Sequence, residues 1–559
     1  MQETMQFEMK LQTAKADLSL RREIWVLLVW LLLVQKGEAQ QPFASPAQTS
    51  PSPGTATWAL LHKNVGIASM HTAVTHTGQV LFLDRTDIGP SLISLANGLC
   101  RDNQRDMSSQ HDCTSHSLMF NPIDNSVRPL LVITDTWCSS GQFLPNGTLM
   151  QTGGYNDGVQ RVRWLTPCGS DGSCDWVESS TDLLQAGRWY ASNQLLPDGR
   201  MFVLGGQYSP TYEFIPSNGL GIFTLPLLES KNYFNWYPFI HLLPDGTLYI
   251  FADRDSLILD YNTNTIVKTF PSIPGEPRNY PCAGSSVMFA LENGGTSAPE
   301  VLVCGGASIM APGNVTAQYP ASQTCGRITV WDTNPGWSMQ DMPIRRNMGD
   351  MVMLPNSQIL IINGAQNGAQ GWDNAASNPV LNPVIYDPDS WSFQVQPAST
   401  IPRVYHSTAN LLPDGRVLVA GSNCHIHYTF VGEFPTELRV EAFQPAYMDP
   451  IHDSIKPLFV SNPITISYGA PFDVQVSIPG PVQGMVGLTL TSSPFTTHSY
   501  SQGQRQVKLA ISPPMQLSSN VYSISTKGPL NANVAPPSWY MLHALHQQIP
   551  SYGVWVQVQ

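Results

Sequence analysis

The chain has 559 residues, 40 of them acidic and 28 basic, for a formal charge of −12. Only 12% of residues are charged, while Gly and Pro number 43 and 46. This excludes a highly charged disordered chain, and no Lys/Arg stripe exists to neutralise phosphates, which excludes a nucleic-acid partner. A turn-rich, charge-poor chain of this length points to two or three domains of an all-β extracellular protein.

At the N-terminus, Arg21-Arg22 precede an apolar run from Ile24 to Val34, and Gly37-Glu38-Ala39 places small residues where a signal peptidase reads. The run is short for a bilayer span. Residues 1–39 are therefore expected to be a secretory signal, with a signal-anchor as the alternative and the initiator (Met1, Met5 or Met9) left open. Residues 40–57, rich in Pro, Ser and Thr, read as a flexible leader. The mature product is expected to be secreted to the extracellular space or cell wall, monomeric, and free of membrane after cleavage.

From Trp58 onward an apolar run, a Pro-Asp-Gly-type turn and a second apolar run ending in Gly-Gly recur. Clear copies are Phe143 to Gly154, Leu195 to Gly206, Leu242 to Phe251 and Leu411 to Gly421; weaker ones run from Thr72 to Asp84, Val287 to Gly306 and Val352 to Gly364. Hairpins of this kind cannot bury their faces alone, and radial repetition of four-stranded blades solves the problem. The spacing predicts a seven-bladed, kelch-like β-propeller over residues 58–435. Beyond Thr436 the turn signature stops, and alternating segments such as Phe472 to Ile478 and Gly553 to Val558 predict an immunoglobulin-like β-sandwich over 436–559.

The residue seven before the turn proline forms a column across the repeats: Cys138, Tyr190, Tyr237 and His406, with Tyr405 beside the last. Equivalent positions of different blades lie at one height around the axis, so these side chains can converge. A structural core would place aliphatic residues there.

Four segments extend the pattern: Asp135-Thr-Trp-Cys-Ser-Ser-Gly-Gln, Gly187-Arg-Trp-Tyr-Ala-Ser, Arg403-Val-Tyr-His-Ser, and Thr496-Thr-His-Ser-Tyr with Gln504-Arg505 after it. In this order, within a propeller followed by a sandwich, they resemble the radical-copper oxidases: galactose oxidase and, more closely, the glyoxal (aldehyde) oxidases. The resemblance covers residues 58–559. It implies one copper held by Tyr190, Tyr405, His406 and His498, and a Cys138–Tyr190 thioether whose tyrosyl radical is the second redox centre. Tyr190, Cys138 and Tyr405 would be the catalytic residues, with Tyr405 taking the hydroxyl proton of an alcohol or hydrated aldehyde. Two imidazoles and two phenolic oxygens suit Cu(II). The implied reaction oxidises a small aldehyde to a carboxylic acid and reduces O2 to hydrogen peroxide. No G-x-G-x-x-G motif signals an organic cofactor.

Galactose oxidase has a tryptophan over its radical, after the Gly-Gly that follows the cross-linked tyrosine; here Tyr208 stands in that place. Tyr208 and Tyr237 are the candidate pocket residues, and the missing tryptophan favours small aldehydes over a sugar alcohol. The alternatives are an alcohol or carbohydrate oxidase with the same centre, and a non-catalytic propeller that binds cell-wall carbohydrate or protein. Cys424, His425 and His427 form a second metal-like cluster without further ligands nearby.

Setting Cys138 aside, the nine cysteines leave eight available for disulfides. Cys100/Cys113 and Cys168/Cys174 are close enough to close small loops, while pairing among Cys282, Cys304, Cys325 and Cys424 is left open. Asn146 and Asn314 begin glycosylation sequons.

Overall fold

In the computed structural model, residues 54–559 are described apart from 170–171, 208, 232–235 and 481. The expected signal sequence and nearly all of the leader lie outside the described residues. So does Tyr208.

Seven four-stranded antiparallel units follow one another around a ring. The inner strands are His71–Val74, Ser140–Phe143, Ala191–Leu195, Phe239–Leu242, Gly284–Met288, Asp350–Met353 and Ser407–Leu411. Each pairs with a following strand, and these seven hairpins coincide with the seven repeats read in the sequence. The hairpin turns use glycine where the backbone must enter the left-handed region, as at Gly199 with φ +84°. At the end of a second strand, glycine answers a different demand. A Cβ on Gly153 would lie 1.9 Å from the Arg188 carbonyl oxygen, so only glycine lets the next blade close in.

Buried arginines brace four blades. Arg188 donates to the Gly205 carbonyl at 2.8 Å, Arg346 to Asn363 at 2.8 Å and Arg403 to Gly421 at 2.7 Å, and Arg278 bonds Gly305 in the same way. Each guanidinium ties the entry of a blade to the end of its second strand. Charge-assisted bonds to backbone carbonyls make such burial tolerable.

The ring closes through the N-terminal segment. Thr57–His62 forms the outer strand of the seventh blade against Val440–Gln444. Residues 440–444 thus still belong to the ring, which runs past the expected boundary at residue 435.

Two sheets form the sandwich. Leu458–Ser461, Pro471–Ser477, Val521–Lys527 and Met515–Gln516 make one; Val486–Ser492, Ser538–His546 and Val554–Val558 lie at the centre of the other. Their inward residues, Val474, Val476, Leu488, Leu490, Ile524 and Val556 among them, share one buried cluster with Phe251, Val301 and Val303 of the ring. Continuous apolar packing of this kind docks the two parts firmly.

From this sandwich a hairpin, Phe495–Thr497 and Tyr500–Gln502, enters the ring. Its first strand pairs with the inner strand of the first blade, Thr72 opposite Thr496. Beyond the ring wall its polar groups find partners on several blades. The Tyr500 hydroxyl donates to the Ile240 carbonyl at 3.0 Å and accepts from the Ile240 N–H at 2.7 Å, and Gln502 accepts from the Asn193 N–H. Gln504 accepts from the Met353 N–H, and Arg505 donates to the Leu242 carbonyl. The tip of this finger is His498-Ser499.

Candidate metal centre

The column read from the sequence is a structural feature. Cys138, Tyr190, Tyr237 and His406 each stand immediately before, or one residue short of, an inner strand, and all have left-handed backbones, with φ of 52°, 68°, 52° and 63°. Ala283 and Met348 fill the same place in the fifth and sixth blades, with φ of 46° and 53°. Main-chain bonds link neighbours: Tyr190 N–H to Cys138 O at 2.9 Å, Tyr237 N–H to Tyr190 O at 2.8 Å, and Met348 N–H to Ala283 O at 2.7 Å. Non-glycine residues in this region cost free energy and persist where the surroundings dictate them, often at functional sites.

The finger supplies His498. Its two-residue turn has φ of 47° at His498 and 62° at Ser499, a conformation that ordinarily selects Asn-Gly. The Thr497 hydroxyl engages His498 Nδ1 at 2.6 Å, and Nε2 lies 3.2 Å from Cys138 Sγ. One ligand atom each from Cys138, His406 and His498 fall within 4.8 Å of one another. His406 Nε2 is buried without a partner, while the backbone of Asn423 holds its ring. Burial pushes both imidazoles well below the ordinary histidine range, so both are neutral, the form that binds a metal.

Tyr190 and Tyr405 lie against this group. Tyr190 is 3% exposed and its side chain hydrogen-bonds the Cys138 thiol; Tyr405 is 2% exposed, with its ring centroid 3.7 Å from that of His406. Burial raises both hydroxyls well above the usual phenol range, and the Cys138 thiol likewise. The five residues Cys138, Tyr190, Tyr405, His406 and His498 are thus brought together as the sequence led one to expect. Tyr237 differs. It is 1% exposed, donates its hydroxyl to the Ser139 carbonyl at 2.9 Å, and lies against the His498 ring at 4.9 Å. It supports the histidine and lines no accessible wall.

Two neighbours escaped the sequence reading. Trp236 stacks on Tyr190 at 4.8 Å and 20°, so an indole does cover that ring, supplied by the neighbouring repeat. The premise that this ring lacks an indole therefore falls. Tyr280 joins the two phenols: its hydroxyl accepts from Tyr190 Oη at 3.2 Å and lies 3.1 Å from Tyr405 Oη. A signal for the tryptophan was present. Trp137, Trp189 and Trp236 directly precede the column residues Cys138, Tyr190 and Tyr237, and Tyr405 precedes His406. Nothing comparable marks Tyr280, three residues before Ala283 in a repeat with no Pro-Asp-Gly turn.

The second cluster does not gather. His425 lies 3.3 Å from Asp373 and 3.1 Å from the Phe434 carbonyl, and His427 lies 2.9 Å from the Ile88 carbonyl, with no third ligand among the described residues. Cys424 is buried, with its Sγ 3.7 Å from His425 Nε2. Disulfides join Cys100–Cys113, Cys168–Cys174 and Cys304–Cys325, while Cys282 and Cys424, like Cys138, remain buried thiols. The expectation of eight cysteines available for bridges becomes six in bridges. Asn146 and Asn314 are both exposed.

A seven-bladed ring with a buried sulfur, phenol and imidazole cluster on its axis, completed by a finger from a downstream sandwich, is the architecture of the galactose-oxidase-like proteins. Residues 70–447 match the family model Glyoxal oxidase N-terminus, and residues 456–558 match Galactose oxidase-like, Early set domain. The chain belongs to the glyoxal oxidase family. It is 48% identical over 512 residues to Aldehyde oxidase GLOX of Vitis pseudoreticulata, an alignment covering 90% of this chain and 97% of that protein. It is 37% identical over 522 residues to Aldehyde oxidase GLOX1 of Arabidopsis thaliana, covering 90% and 84%. Among solved structures, a fungal alcohol oxidase of the AA5 family in complex with copper shares the fold at TM-score 0.68 and 18% identity, covering 91% of this chain and all of that one.

Proposed function

We propose that the chain is a copper-radical oxidase that converts aldehydes to carboxylic acids and reduces O2 to hydrogen peroxide. The carrying observation is the buried axial cluster, in which His406, its Nε2 unpartnered, and His498 converge with Cys138 while the Tyr190 and Tyr405 rings pack against the two imidazoles. Two neutral imidazoles and two phenolic oxygens fit Cu(II), and a thiolate-rich or all-carboxylate metal would find the wrong donors. Tyr190, Tyr405, His406 and His498 would hold the ion. When bound, copper supplies a one-electron acceptor and a coordination position for substrate oxygen.

The protein's own groups do the rest. Cys138 Sγ, beside the Tyr190 ring, forms a thioether with it in an O2-dependent oxidation that removes two hydrogens from the pair. Trp236 shields that ring, which helps an oxidised Tyr190 persist. Tyr405 Oη takes the substrate hydroxyl proton, and the Tyr190 phenoxyl oxygen takes the hydrogen from carbon. Substrate entering from water is the hydrated aldehyde, so the net change is R–CH(OH)2 + O2 giving R–COOH + H2O2. Near-complete burial of both tyrosines keeps bulk water from quenching the radical.

Three disulfides and the signal-like N-terminus support secretion of a soluble, extracellular enzyme acting on a small aldehyde without nucleic-acid or membrane partners. The Trp236 stack favours one second reading, an alcohol or carbohydrate oxidase with the same centre. Oxygen uptake on methylglyoxal against galactose separates the two. Intact-mass measurement after copper loading tests the centre itself. Wild type is expected to be two hydrogens lighter than its sequence mass, after allowing for the disulfides, and Cys138→Ser to lose both that difference and peroxide production. A wild type with neither thioether nor peroxide on any aldehyde overturns the proposal.

A further inference from the structure

The two reactive phenols have a third between them. Tyr280 Oη lies 3.2 Å from Tyr190 Oη and 3.1 Å from Tyr405 Oη, so it stands within one hydrogen bond of both reactive oxygens. Tyr280 is half-buried, whereas Tyr190 and Tyr405 are 3% and 2% exposed. It is therefore the least enclosed of the three residues. Its ring packs against both Tyr190, at 4.5 Å, and Trp236, at 5.6 Å and 18°, and these two contacts hold its orientation.

A phenol offers one proton and two lone pairs. Tyr190 and Tyr405 occupy two of these three positions, which leaves one for a further partner. A hydrated aldehyde and a primary alcohol differ at one place on the reacting carbon: the first has a second hydroxyl where the second has hydrogen. A site that hydrogen-bonds that hydroxyl discriminates strongly against the analogue that lacks it.

We propose that Tyr280 Oη hydrogen-bonds the second hydroxyl of the hydrated aldehyde and so makes the enzyme selective for gem-diols over primary alcohols. This deepens the aldehyde-oxidase reading and rests on it. The proton taken by Tyr405 and the hydrogen taken by Tyr190 are unaffected. Tyr280 orients the diol so that its C–H faces Tyr190 while its first hydroxyl faces Tyr405.

Tyr280→Phe keeps the ring against Tyr190 and Trp236 and removes only the hydroxyl, and an unchanged melting temperature verifies that the fold is intact. In the copper-loaded variant, kcat/KM for methylglyoxal is expected to fall ~10- to 100-fold. The value for 1,2-propanediol is expected to change less than ~3-fold, a loss no larger than that of a weak neutral hydrogen bond. Calorimetric titration supplies a readout independent of turnover. The dissociation constant of the two-oxygen product pyruvate should rise at least ~10-fold while that of azide, which presents no second oxygen, stays the same. Equal losses on methylglyoxal and propanediol, or unchanged pyruvate binding, overturn the assignment. A wild type inactive on every aldehyde overturns the underlying reading instead.

Discussion

Within each blade, strands such as Leu248–Ala252 and Met201–Gly205 pack fully buried aliphatic and aromatic side chains in extended backbone. A few ångströms further along the same chain, at the axial end of the ring, Cys138, Tyr190, Tyr237, Ala283, Met348 and His406 adopt φ between 46° and 68°. Blade interiors are locally consistent, each side chain fitting the period-2 pattern of a strand. The axial end contradicts local preference at six positions and gathers polar groups without partners. What separates the two is the direction in which side chains must point: a left-handed residue just before a strand turns its side chain off the sheet and toward the axis. Stability resides in the repeats, and the chemistry sits where the repeats bend their own rules.

Four experiments sharpen or break that contrast. His498→Ala removes the finger's contribution, and copper content and peroxide production should fall to background while the ring remains folded. Measured copper stoichiometry near one would break the contrast at its strongest point. Leu248→Ala, fully buried in the fourth blade, should cost ~2–5 kcal/mol in denaturant unfolding, with the copper stoichiometry of the folded protein unaltered.

Asp350 is the first residue of an inner strand; one carboxylate oxygen accepts from Asn363 at 2.8 Å and the other is unpartnered. Burial pushes this carboxyl up to about 8. Its contribution to stability is full below the unfolded carboxylate range near 4 and is lost as pH rises toward 8, because the unfolded chain ionises first. Asp350→Asn should therefore melt above wild type at pH 8, and the difference should vanish by pH 4. A constant difference across that range refutes the assignment.

The smallest effect is the most direct. Ala283→Gly relieves a left-handed alanine and should stabilise by ~1 kcal/mol. Ala442→Gly, the same change in an extended strand of the seventh blade, should destabilise by ~1 kcal/mol. Equal signs would show that the axial backbone is unstrained.

Local repetition explains what could be read in the sequence. All seven hairpins carry an apolar run, a turn and a terminal glycine or its equivalent, so their number and order were legible. The column was legible too, because a fixed offset from a turn proline preserves height around the axis. Closure by Thr57–His62 was not, since pairing with Val440–Gln444 joins segments nearly the whole ring apart. Tyr280 was hidden for a related reason: its role depends on the distance between two hydroxyls from other blades, which no spacing encodes. Pairing of Cys304 with Cys325 follows from their being opposite one another on adjacent strands, a register that became visible only with the sheet itself. Cys282, packed with Ala307, Ala311 and Ala369, and Cys424, packed with Met348 and Tyr405, lie in separate clusters and show why an even count did not imply complete pairing.

The finger also sets a timetable. A ribosome completes all seven blades, with Cys138, Tyr190, Tyr405 and His406 in place, before residue 498 has been made. Until Thr497 and His498 are threaded into the ring, the cluster lacks one of its imidazoles. A chain unfinished or cut short before His498 therefore cannot begin making peroxide inside the cell that synthesises it.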